Sequence, residues 1–161
     1  MGMTVCFTGH RTIAYTDRKW LPEQTEKIIR QLIAAGADRF RAGGAIGFDT
    51  VAELKVLELK AEFPQIRLEL ILPCRDQTKK WQEHDRYIYG LILERADSVQ
   101  YVSQEYTPTC MLDRNRVLLS GSDVCIAYLT RSTGGTAYTV RNAQQQGVRV
   151  IRLAPPDGEN N

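Results

Sequence analysis

The sequence predicts an α/β fold: a mostly parallel sheet of about six strands with helices on both faces. Three observations carry that reading. Short β-branched and apolar runs alternate from end to end with longer segments of helical periodicity. The run "DVCIAYL", Asp123 to Leu129, is apolar almost throughout, as a parallel strand covered on both faces must be. Glycines cluster directly after strand-like runs, where the chain would turn into a helix.

The elements follow in order. "TVCFTG", Thr4 to Gly9, is β-branched and apolar, then broken by glycine, and reads as the first strand. Pro22 with Glu23 and Glu26 marks a helix start, since proline suits the first turn and acids favour the positive end of the dipole. Ile28, Ile29, Leu32 and Ile33 give that helix an apolar stripe, and Gly36 a C-terminal cap. "DRFRAGG" is a second strand running into glycines, after which Val51, Leu54, Leu57 and Ala61 trace a second amphipathic helix. "IRLELILP" is a third strand stopped by Pro73.

Lys79 to Ala96 reads as a longer helix, with Tyr87, Ile88, Leu91, Ile92 and Leu93 on its apolar side. Within it Trp81, Tyr87 and Tyr89 are expected to be mostly core, with Trp81 also placed to stack on a base. "DSVQYVS" is a fourth strand, Met111 to Leu119 a short helix and "DVCIAYL" a fifth strand. Thr136 to Gln146 reads as a helix and "VRVIRL" as the last strand. Residues 1–154 thus form one Rossmann-like domain, and the polar tail, 155–161, is expected to fray.

Composition narrows the function classes. A chain of 161 residues is long enough for one domain with a proper core. Net charge is only +2, which disfavours a non-specific nucleic-acid binder held by charge alone. No apolar run approaches the roughly 20 residues that span a bilayer, so no membrane association is expected. The start of the chain carries no basic n-region, so no export signal is read. Cys6, Cys74, Cys110 and Cys125 form no C-x-x-C pair, and only two histidines are present. That pattern predicts reduced cysteines, no metal site and a cytoplasmic location.

In an open parallel sheet, ligands bind beyond the carboxyl ends of the strands, at the switch point in strand order. The residues after the first strand are Thr8, Gly9, His10 and Arg11. After the second come Gly43, Gly44, Gly47 and Asp49; after the fifth, Ser132, Thr133, Gly134, Gly135 and Thr136. Glycines let backbone amides approach a phosphate, and a helix N-terminus adds partial positive charge. The hydroxyls can donate to an anion, and Arg11 can clamp it. Asp49 reads either as the cap of the helix beginning near Gly47 or as a partner for a ribose hydroxyl. Arg114 and Asn115, near a helix start, are placed to reach the same rim. Arg114, Arg116, Arg131 and Arg141 form a candidate basic patch, with a solvated helix face as the plainer reading.

"CFTGHR", "RAGGAIGFD", "WQEHDRYIYGLILERAD", "DRNRVLLSGSD" and "STGGTAY" occur in that order. Together they resemble the YpsA-like family of the SLOG superfamily, from Thr4 to Leu153. The resemblance implies a protein that binds a phosphate-containing nucleotide or nucleotide derivative such as ADP-ribose or NAD, with no cofactor required. It is compatible with a regulatory sensor that has a protein partner, and with self-association. The related LOG-type phosphoribohydrolases imply a second reading, cleavage of nucleoside monophosphates. "MLDR" matches their upstream arginine with Arg114, but their glutamate position falls on Tyr138. Phenols are protonated near neutrality, so this exchange disfavours hydrolysis. The DprA-type proteins are similar in "GGAIGFD" and "STGGTAYTVRNAQQQGVRVI" and imply a third reading, single-stranded DNA binding. The low net charge weighs against it.

Overall fold

The computed structural model describes residues 2–156. Six strands form one sheet: β1 (Met3–Gly9), β2 (Ala37–Ala42), β3 (Arg67–Leu72), β4 (Ser98–Tyr101), β5 (Val124–Tyr128) and β6 (Arg149–Arg152). Their order is β4-β3-β2-β1-β5-β6 and all five pairings are parallel, with Val5 opposite both Phe40 and Val124. Five α-helices connect them: α1 (Trp20–Ala34), α2 (Phe48–Leu59), α3 (Glu83–Arg95), α4 (Cys110–Leu119) and α5 (Gly135–Gln145). The chain winds outwards from β1 to β4, then returns through α4 to β5 on the other side of β1. The order therefore reverses between β1 and β5, and a crevice opens at their carboxyl ends.

Helices α1, α2 and α3 pack in succession, while α4 packs on α5. The larger core joins Val5, Phe7 and Phe40 of the sheet to Leu21, Ile29, Phe48 and Val56 of the helices. The smaller core joins the alternate strand residues Cys6, Ile71 and Cys125 to Leu118, Leu119 and Ala143. Strand β5 is buried along its whole length, as its sequence requires. Residues 155 and 156 follow β6 without regular structure; the rest of the polar tail, 157–161, lies outside the described residues.

Several elements differ from the sequence-based reading. Helix α3 begins at Glu83, not Lys79, because residues 76–81 close tight turns through Lys79 N–H to Asp76 and Trp81 N–H to Thr78. Gln82 is then extended, and Glu83 and Asp85 supply the acids that favour a helix N-terminus. Tyr87 is not core: it stands 64% exposed on the outer face of α3. Trp81 is half-buried, packed edge-to-face on Tyr89 with ring centroids 5.4 Å apart.

On α2 the buried stripe lies one face away from Val51, Leu54 and Leu57. The buried residues are Phe48, Ala52, Val56 and Leu59, whereas Leu54 is 42% exposed and Ala61 lies beyond the helix end. The helix is apolar on two sides, so periodicity alone is ambiguous. What the true inner face also carries is two acids, Asp49 and Glu53, and they shape the crevice.

Candidate functional site

The crevice at the β1–β5 switch point is a cavity of about 260 Å³. Thr8 to Thr12 bring one wall from the end of β1, and Ala45 and Asp49 the floor from the turn after β2. Met111, Arg114, Asn115 and Leu118 come from α4, and Arg131, Gly135 and Thr136 from the turn into α5. "GGAIGFD" and "STGGT" thus contribute to one rim. Among the residues singled out from the sequence, Thr8, Gly9, His10, Arg11, Asp49, Arg114, Asn115, Gly135 and Thr136 line the cavity.

The others do not line it, and each for a local reason. Gly43 and Gly44 are buried beneath the floor. The Gly44 amide donates to Glu53 Oε2 at 2.9 Å, and the Gly43 carbonyl accepts from the Arg114 guanidinium. Their polar groups bind the chain's own side chains, so these glycines are supports rather than phosphate donors. A Cβ on Gly43 would meet Arg114 at 2.3 Å, which explains the absence of a side chain there. Gly47 lies at φ 84° as the N-cap of α2. Ser132, Thr133 and Gly134 are exposed on the approach to α5, where the Ser132 carbonyl accepts from Arg141 at 3.3 Å.

Gly47 also sets how closely two loops approach. A Cβ there would stand 2.3 Å from the Arg11 carbonyl oxygen and 2.6 Å from that of His10, both rigid backbone atoms. Gly47→Ala is expected to cost about 2–4 kcal/mol, combining positive-φ strain with overpacking. A thermal melt showing no loss relative to wild type would contradict this placement of the loops.

His10 ties three turns together through its carbonyl and Nε2. Its carbonyl accepts the Phe48 amide at 3.1 Å, and its Nε2 accepts the Thr130 amide at 2.9 Å. The ring packs edge-on against Tyr128, with centroids 5.6 Å apart. Accepting at Nε2 assigns the ring proton to Nδ1 in the neutral form. Burial, reinforced by the Arg131 charge, pushes its pKa below the ordinary imidazole value. Tyr128 continues the brace, donating to Asp17 at 2.6 Å and accepting the Ala14 amide at 3.2 Å.

Asp49 is not the helix cap. It sits in the first turn of α2, and its Oδ2 accepts the Ala45 amide at 3.2 Å, drawing the glycine turn over the helix start. Glu53, one turn further along, is 1% exposed and escaped the sequence reading. The available signal was its place four residues after Asp49, on the same helical face. Arg114, 6% exposed, is the buried cation near these acids; its Nε donates to Asn115 at 2.8 Å. Burial raises the Asp49 pKa, and the Arg114 charge opposes that rise. Burial and the neighbouring Asp49 push Glu53 well above the usual carboxylate range.

These directions fix a pH dependence. At Glu53 the folded state binds more protons than the unfolded chain, so stability falls as pH rises from the ordinary glutamate range through the raised value. His10 works in the opposite direction: its contribution is complete above the ordinary imidazole value and declines as pH falls below it. Glu53→Gln keeps an acceptor for Gly44 while removing the titration. Its melting temperature relative to wild type is therefore expected to be higher at pH 8 than at pH 5. A constant difference across that range would contradict the assignment.

Tyr138, on α5, lies outside the cavity lining, and the neighbouring Asn142 and Arg116 lower its pKa. Asp113 is tied to Thr109 at 3.0 Å and Arg116 at 3.4 Å. Asp49 is thus the carboxylate in the cavity lining. The four-arginine patch does not assemble: Arg114 is buried and Arg116 pairs with Asp113, while Arg131 lines the cavity. Trp81 also lies outside the lining.

Comparison with known proteins now decides the family. A model described as the YspA SLOG family matches residues 6–150. The chain belongs to this YpsA family. A UPF0398 protein of Halalkalibacterium halodurans is 31% identical over 154 residues, covering 92% of this chain and 79% of that protein. A UPF0398 protein of Bacillus pumilus is 26% identical over 129 residues, covering 78% and 69% respectively. Among solved structures, DNA processing protein A from Helicobacter pylori, described for its single-stranded DNA binding mode, superposes with a TM-score of 0.69. It shares 20% identity, over 98% of this chain and 67% of that one. The DNA processing protein A of Streptococcus pneumoniae gives 0.66 at 16% identity, over 98% of this chain and 52% of that one. These similarities establish the fold of the YpsA chain. No helix among its described residues is long and apolar enough to cross a membrane, and its four cysteines are free and buried.

Proposed function

We propose that this YpsA-family chain binds a phosphate-bearing nucleotide or nucleotide derivative in the β1–β5 cavity. One observation carries the reading. Thr8 and Thr136 are each 8% exposed and line the cavity, and their hydroxyls make no hydrogen bond among the described residues. Every fully enclosed side-chain polar atom among the described residues has a partner, so these two unpartnered hydroxyls are not fully enclosed and keep donor capacity for a ligand. Around them stand Arg11, Arg131 and the first turn of α5, which holds no acid and has no side-chain cap. Free amides, hydroxyls and guanidinium groups on one wall favour an anion.

A purely inorganic anion would use only that wall. Asp49 on the floor can accept from sugar hydroxyls, which favours a phosphate attached to a sugar. The free, buried cysteines suit a reducing compartment, and we place the protein in the cytoplasm.

Isothermal titration with AMP, ADP-ribose and NAD tests the reading. Saturable binding by at least one is expected; no heat from any of them at millimolar concentration would refute it. Single-stranded DNA binding draws support from the DNA processing protein A fold, but a compact cavity suits one phosphate better than a tracked backbone. An oligonucleotide shift that weakens steeply with salt would favour DNA instead. Hydrolysis would have to use Asp49, and chromatography of nucleotides incubated with the protein would expose any released base.

A further inference from the structure

We infer that the cavity recognises the ribose phosphate portion of its ligand and leaves the base outside. The inference rests on the nucleotide reading above and adds which part of the nucleotide is held. Three observations carry it.

The first is size. At about 260 Å³ the cavity falls below the roughly 300–1,000 Å³ that encloses a drug-sized ligand. It suits a sugar phosphate better than a whole nucleotide.

The second is the absence of a stacking wall. The two rings in the lining, Phe7 and His10, are both occupied by other rings. Phe7 stacks on Phe40 at 6.1 Å and meets Phe48 edge-on at 6.2 Å, while His10 is fixed against Tyr128. No Trp or Tyr contributes to the lining. A base inside would find no open aromatic face.

The third is polarity at two ends. The Thr136 wall, with Arg131 beside it, offers donors and positive charge. The Asp49 floor offers a carboxylate with acceptor capacity beyond its bond to Ala45. A ligand that is anionic at one end and hydroxylated at the other matches both; a diphosphate folded into the cavity would set negative charge against Asp49.

The test compares AMP, ribose 5-phosphate, 2-deoxyribose 5-phosphate and adenosine by calorimetry on the intact protein. Stacking of a base changes affinity by about five- to hundredfold, so its absence leaves ribose 5-phosphate within about tenfold of AMP. The 2-deoxy sugar is expected to bind about tenfold or more weakly than ribose 5-phosphate, having lost a hydroxyl donor to a charged acceptor. Adenosine is expected not to bind. Asp49→Asn should bring ribose 5-phosphate towards the affinity of the deoxy sugar, with its melting curve checked alongside. The deoxy comparison on the wild-type protein decides the point if that variant fails to fold. Tight AMP binding with ribose 5-phosphate more than tenfold weaker would overturn the inference and leave the nucleotide reading standing. Equal binding of the two sugars would overturn it as well. Failure of both AMP and ribose 5-phosphate to bind would sink the nucleotide reading together with it.

Discussion

Arg114→Ala is expected to destabilise the protein by about 3–5 kcal/mol, the range for removing one partner of a buried charge cluster. Three losses combine. The Gly43 carbonyl loses its guanidinium donor, and Asn115 loses a bond of 2.8 Å. Asp49 and Glu53, 6% and 1% exposed, lose the buried cation whose charge opposes their neutralisation. A group of this kind is coupled, so the effects should not add. In a Glu53→Gln background, Arg114→Ala should cost measurably less, because one of the two acids no longer needs a counter-charge. Denaturant melts of the four proteins in that cycle check the claim. Full additivity would show that the Arg114 charge is not coupled to Glu53.

Gly135→Asp is expected to abolish phosphate binding while leaving the fold intact or slightly firmer. A Cβ at this position would meet nothing within 4 Å, and the residue begins α5, whose first turn holds no acid. A carboxylate at a helix N-terminus favours the folded state by about 0.3–1 kcal/mol. The same carboxylate close to a bound phosphate is repelled by several kcal/mol at an effective dielectric near 20, or about a hundredfold or more in affinity. The two readouts move in opposite directions, so lost binding cannot be put down to unfolding. Retained affinity in a stable Gly135→Asp protein would remove α5 from the site.

Much of this architecture is legible in the residues alone. The buried run of β5 and the glycines after β1, β2 and β5 are local signals, and the switch point follows from alternating strands and helices. What was not legible depends on partners distant in sequence. Glycines 43 and 44 look like a phosphate loop until Glu53 and Arg114 are seen to occupy their polar groups. The bracing role of His10 shows only when its Nε2 is found on the Thr130 amide, 120 residues away. The buried face of α2 is ambiguous in the sequence because apolar residues border both sides of that helix, and only the sheet selects one. Arg131, read from sequence as part of a surface patch, instead joins the cavity, because the turn after β5 folds back towards the end of β1.

A crystal structure of the protein grown with AMP is the most direct test of the cavity as a phosphate site. The phosphate is expected against the first-turn amides of α5, within hydrogen-bonding distance of Thr136, with Arg11 and Arg131 closing over it. A fully occupied nucleotide on any other surface, with the β1–β5 cavity filled only by solvent, would contradict that placement.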